Sequence, residues 1–177
     1  MDFLSAMCAL TPNAPSDPID WDALEKLFGT FFSGMRATQQ EPAYHAEGDV
    51  FKHTQLVCRA LNEMPDFHAL PQMQKTQMFT AAVLHDVGKI RTTRMEDGKW
   101  TSPHHSEAGS RAVRSFLWQE HGLCGTPDKL RFRETVCAYI HKTNARSARI
   151  AEKLGMRPIG ETPSGNSLLY AGRIQSA

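Results

Sequence analysis

The 177-residue chain has almost no charge of one sign in excess: 20 Lys and Arg against 19 Asp and Glu leave a formal +1. That is too little for sequence-independent attraction to a polyanion, so any phosphate contact must be local. Long apolar runs are missing as well. The longest, Phe79 to Leu84, includes Thr80, whereas a bilayer span needs roughly 18–20 apolar residues. A membrane span is excluded. Residues Met1 to Leu10 are mildly apolar but carry Asp2 and no basic leader, which does not read as a secretory signal. The four cysteines, Cys8, Cys58, Cys124 and Cys137, have no CxxC spacing and read as reduced, buried thiols of a cytoplasmic protein. Internal repeats and low-complexity blocks are absent.

What is present is helical periodicity and histidine. The length suits one globular domain. Residues 1–18 hold Pro12, Pro15 and Pro18 beside Asn13, Ser16 and Asp17, a composition that predicts an extended arm. From Asp20, an N-cap by residue type, Leu24, Leu27, Phe28, Phe31, Phe32 and Met35 recur at helical spacing. A second helix is expected after Gly48, with Asp49 as its N-cap, carrying Val50, His53, Leu56, Val57, Ala60 and Leu61. A third opens near Pro71, runs to His85-Asp86 and stops at Gly88. Residues 89–102 contain Asp97-Gly98 and read as a loop or short hairpin. A fourth helix is expected from Pro103, a fifth from Thr126-Pro127 to His141, and a sixth over Ser147 to Leu154, followed by loop around Pro158, Gly160, Pro163 and Gly165. The expected fold class is all-α, with an arm at 1–18, a helical domain at 19–160 and a C-terminal tail at 161–177.

Eight histidines are many for this length, and several fall at telling positions. In Leu84-His85-Asp86-Val87-Gly88-Lys89, a buried apolar helix ends in an imidazole and a carboxylate, adjacent groups able to reach one cation. His53 lies on an inward helix face, where an unpartnered ring is costly. His104-His105-Ser106-Glu107 opens the fourth helix, and His141 ends the fifth. Each alone has a plain structural reading: a core histidine bonded to a carbonyl, or an aspartate capping backbone. Together, His53, His85, Asp86, His105 and His141 make an N/O donor set suited to one or two ions of Mn²⁺, Fe²⁺, Co²⁺, Ni²⁺ or Zn²⁺. Without thiolates, it is unlike a closed structural zinc site.

These residues resemble the HD superfamily of metal-dependent phosphohydrolases, over roughly residues 43–145. The carriers are His53, the His85-Asp86 doublet with Lys89, His105-Ser-Glu-Ala-Gly109 and His141. The run Tyr44-His45-Ala46-Glu47-Gly48-Asp49-Val50-Phe51-Lys52-His53-Thr54 is similar to HD domains of bacterial CCA-adding tRNA nucleotidyltransferases and of polynucleotide-kinase-fused end-healing enzymes. The resemblance implies a helical HD domain hydrolysing phosphomonoesters or 2′,3′-cyclic phosphates of nucleotides or RNA ends. It implies His53, His85 and Asp86 as ligands of a first metal, with His105 and His141 completing a second position or binding phosphate. Asp86 would also orient water. Lys89, with Arg91 and Arg94 beyond it, would neutralise phosphate, and a fused or partner domain is compatible with this family.

One position departs from the pattern. The family supplies a distal Asp from a later helix, but no Asp follows Asp128 here, and Leu168-Leu169-Tyr170-Ala171-Gly172-Arg173 resembles that segment with the Asp missing. Water or a Glu would then substitute, or the chain is a truncated or decayed version. The alternative to an enzyme is a non-catalytic HD module that binds a nucleotide, an RNA end or a partner domain.

Overall fold

The computed structural model describes residues 2–15, 17–43, 45, 48–123 and 132, and the backbone of strands at 135–141, 157–161 and 167–173. Up to residue 123 it is mostly helical, in the order α1 (Phe3–Leu10), α2 (Trp21–Ala37), α3 (Val50–Asn62), α4 (Pro65–His68), α5 (Gln72–Leu84), α6 (Lys89–Thr92) and α7 (His105–Ser115). A short hairpin of β1 (Arg94–Glu96) and β2 (Lys99–Thr101) separates α6 from α7, and a π-helical turn, Phe116–Glu120, extends α7. The helix starts follow their caps. Asp20 accepts from the Ala23 amide at 2.9 Å and Asp49 from the Lys52 amide at 2.8 Å, each satisfying an N–H that the helix leaves unpaired.

The centre of the fold is α5, buried on nearly every side from Lys75 to Leu84, with α3 and α1 packed against it. A helix enclosed in this way needs its polar side chains turned back onto its own backbone. Thr76 and Thr80 do this, donating to the carbonyls of Gln72 and Thr76 at 3.0 and 2.7 Å. Around it stand Phe3, Phe28, Phe32, Phe51, Phe67, Phe116 and Phe132, which with Phe79 of α5 form the buried phenylalanine part of the core.

The N-terminal arm is not extended. Phe3 and Met7, one helical turn apart, are buried in α1, and the Phe3 ring stands edge-on to Phe28, Phe116 and Phe132 at 5.9 to 6.3 Å. The prolines that suggested an arm lie beyond α1, which Asp2 caps through the Ser5 amide. The following turn is bound to the body: Asn62 donates to the carbonyls of Pro15 and Asp17, and Lys75 to the Asn13 side chain.

The chain beyond 132 also departs from expectation. The segment read as the end of a fifth helix is β3 (Thr135–His141), and the expected loop around Pro158 and Gly160 holds β4 (Arg157–Glu161). With β5 (Ser167–Arg173) they form an antiparallel sheet in the order β3-β5-β4. The expected tail is therefore not separate from what precedes it, since β5 is the middle strand. Thr135, Val136 and Ile140 are β-branched and Tyr139 aromatic. Such short apolar runs fit a strand as well as a helix, and strand propensity with cross-strand pairing decides. The expected sixth helix, Ser147 to Leu154, lies outside the described residues. Among the described residues no helix is long and apolar enough to cross a membrane.

If α1 is part of the core, Phe3→Ala should cost about 3–5 kcal/mol, read as a lowered urea midpoint with an unchanged transition slope. An arm lying loosely on the surface would lose almost nothing.

Candidate metal centre

Four elements converge on one carboxylate. Asp86, only 4% exposed, sits in the turn that follows α5. Its Oδ2 faces the Nε2 of His85 at 3.3 Å, the Nε2 of His53 at 3.8 Å and the Lys89 ammonium at 2.8 Å; its Oδ1 faces the Nε2 of His105 at 3.6 Å. His53 comes from the border of the buried stripe of α3, His85 from the C-cap of α5, Lys89 from α6 and His105 from the first residue of α7.

The far side of two imidazoles is fixed. His85 Nδ1 lies 2.8 Å from the Ala82 carbonyl and His105 Nδ1 lies 2.8 Å from the Ser102 carbonyl. A carbonyl oxygen only accepts, so each Nδ1 carries a proton and Nε2 is the nitrogen left to face Asp86, as a protonated donor or, were a cation bound there, as a lone pair. Lone pairs aimed at an ionised carboxylate repel it unless a proton or a cation lies between them. Anchoring of the outer nitrogen on a carbonyl is also how metal-ligating histidines are oriented.

The spacing suits an ion. Donors bound to one ion at about 2.1 Å, at angles between square and tetrahedral, lie about 3.0–3.4 Å apart. The His85–Asp86 separation of 3.3 Å falls in that range and His53 is slightly wide of it at 3.8 Å. One ligand atom from each of His53, His85 and Asp86 lies within 4.8 Å of the others. These three residues fit a divalent cation. Burial alone would push the Asp86 carboxyl up, but the charge and hydrogen bond of His85, then Lys89 and His105, hold it well below the usual carboxylate range.

The remaining expected residues fall in different places. Lys89 is buried, its ammonium shared between Asp86 and the Gln40 side-chain oxygen at 2.7 Å, so two of its three donors serve the protein. Arg91 is exposed on α6. Arg94 is exposed and turned onto Glu96 of its own hairpin at 2.6 Å. His141 belongs to β3, and its side chain lies outside the described residues.

Three contributors were not foreseen. Gln40 holds Lys89 by its oxygen and the Asp49 carbonyl by its nitrogen, tying the start of α3 to the centre. Nothing in a lone glutamine signals this. The His45 ring stands edge-on to His53 at 4.7 Å; its place in the motif before His53 was the available signal. Gly88 is the third. Its φ of −64° is ordinary helical backbone, so it is not the left-handed helix stop expected. A Cβ there would strike the His105 carbonyl and come 2.5 Å from the Gly109 nitrogen. Gly88 and Gly109 let α7 touch the His85-Asp86 turn backbone to backbone, and that contact delivers His105.

Gly88→Ala should therefore cost about 3 kcal/mol or more, since the obstruction is backbone and not a flexible side chain. Thermal melts read that loss. A second expectation concerns acid. The folded Asp86 carboxyl lies below its unfolded value of about 3.9, so the stabilisation is complete above that pH and fades as pH falls through it toward the lowered folded value. Asp86→Asn should flatten the acid limb of the urea midpoint below about pH 5. At neutral pH it should cost about 3–5 kcal/mol by leaving Lys89 buried without its partner.

No family model, no curated protein and no solved structure matches this chain, so the chemistry of the centre rests on its own atoms.

Proposed function

We propose that the chain is an HD-type, divalent-metal-dependent phosphohydrolase acting on phosphomonoester or 2′,3′-cyclic phosphate groups of nucleotides or RNA ends. One observation carries this reading: His85 and His105, both locked by their outer nitrogens, and His53 all present Nε2 to the same buried carboxylate. His53, His85 and Asp86 would hold the ion. A bound divalent cation lowers the pKa of water and neutralises charge on the non-bridging phosphate oxygens.

The chain's own groups do the rest. Asp86, kept ionised by its neighbours, offers a full negative charge and accepts a hydrogen bond that orients an attacking water. His105, about a third exposed, is the most open imidazole of the set facing Asp86 and is available to a phosphate oxygen at the rim. Lys89 maintains the position and charge of Asp86 through the Gln40 clamp, and its remaining N–H is the donor left for phosphate.

Purified protein should contain a transition metal at about one ion per chain or take one up from Mn²⁺ or Ni²⁺. It should then hydrolyse a chromogenic phosphodiester. His85→Ala and Asp86→Ala should each lower kcat/KM by at least ~100-fold, more than loss of an outer-shell partner does. If metal binds and neither variant differs from the parent, the non-catalytic binding module is the correct reading.

A further inference from the structure

The hairpin between α6 and α7 has no role in the chemistry above, yet it joins the two helices that bring Lys89 and His105 to the centre. Its pairs are Arg94 with Thr101, Met95 with Trp100 and Glu96 with Lys99. Strand alternation therefore puts Met95 and Trp100 side by side on one face, with the charged residues on the other. The charged face satisfies itself: Glu96 accepts from Arg94 and from the Thr101 hydroxyl, each at 2.6 Å. The other face does not. Met95 is 52% exposed, while Trp100 is half-buried.

Two ties fix the hairpin that carries this face next to the centre. At the hairpin base, Thr93 and Ser102 share a 2.8 Å hydroxyl contact, and the Ser102 carbonyl is the one that locks His105. On the outer edge of β2, the Trp100 amide donates to the Glu41 carboxylate at 2.9 Å, and the Glu41 carbonyl accepts from the His45 amide at 2.9 Å. His45 in turn lies on His53. Trp100 is thus held from one side through His105 and from the other through His45. Its amide is used outward, so Met95 and Trp100 form a non-hydrogen-bonded pair, the closer kind. A flat indole beside a polarizable thioether is a stacking surface for a planar heterocycle.

Resting on the proposed phosphohydrolase reading, we infer that the Met95–Trp100 face seats the base of a nucleotide whose phosphate is held at the Asp86 centre. The substrate class is then a nucleoside phosphate and not a sugar phosphate. Stacking on an aromatic side chain is tolerant of base identity, so purine and pyrimidine nucleotides both qualify.

The test compares AMP with ribose 5-phosphate, which carries the same phosphate and no base. In the Mn²⁺-loaded parent, kcat/KM for AMP should exceed that for ribose 5-phosphate by about 5- to 150-fold, the span base stacking supplies. Trp100→Ala should bring kcat/KM for AMP down to the value for ribose 5-phosphate, and Trp100→Phe should keep most of the ratio. In parallel, adenosine should quench the tryptophan fluorescence of the Trp118→Phe protein, and the additional change Trp100→Phe should remove the quench. A parent ratio near unity, or a ratio that survives Trp100→Ala, overturns the stacking seat while leaving the hydrolase reading intact. Quenching by adenosine without hydrolysis of either phosphate supports the seat and removes the hydrolase reading. Neither quenching nor hydrolysis removes both.

Discussion

The structure depends on keeping one carboxylate ionised where there is little water. Asp86 is almost wholly buried, and an isolated charge there would cost several kcal/mol. That cost is offset only because donors surround it in the right geometry: Lys89 at contact distance, His85 and His105 anchored from behind, and His53 opposite. Three of them are in turn held by something neutral and fixed: Lys89 by Gln40, His85 by the Ala82 carbonyl and His105 by the Ser102 carbonyl. The arrangement is therefore preorganised, which is what both metal binding and transition-state stabilisation require.

Lys89 limits what the centre can hold. Its ammonium draws on Oδ2, the oxygen that also faces His53 and His85, so an ion seated among those three would share that oxygen with a neighbouring cation. Like charges that close repel, and a second ion would add to the repulsion. If the centre holds metal, these charges favour one ion over two.

The sequence was legible where residue type decides the outcome locally. Asp20 and Asp49 cap helices because a short acceptor before an apolar-periodic run has little else to do. His53, His85, Asp86 and His105 converge as their spacing and positions suggested. It was less legible where partners come from elsewhere in the chain. Phe3 and Met7 gain their helix by packing on Phe28 and Phe116, residues outside any local window. Gly88 looked like a stop because glycine usually marks one, yet its smallness serves a contact with Gly109. Thr135 to His141 carries a run too short for periodicity to tell helix from strand, and pairing with β5 settles its form.

Chain connectivity explains why so much of the centre fits in so short a stretch. His85, Asp86, Lys89 and His105 belong to one continuous segment that leaves α5, turns through α6, rises into the hairpin and comes back through α7 to touch its own start at Gly88 and Gly109. Closing a loop of this size costs little entropy, and the hairpin lowers that cost by pairing its own backbone. Among the described residues, the contribution from outside the segment comes from His53, His45 and Gln40, with His53 and Gln40 joined through the Asp49 carbonyl at the start of α3. Any hairpin of similar length would close the loop. This one pairs Met95 with Trp100, is held on its outer edge by Glu41, and supplies the Ser102 carbonyl that locks His105.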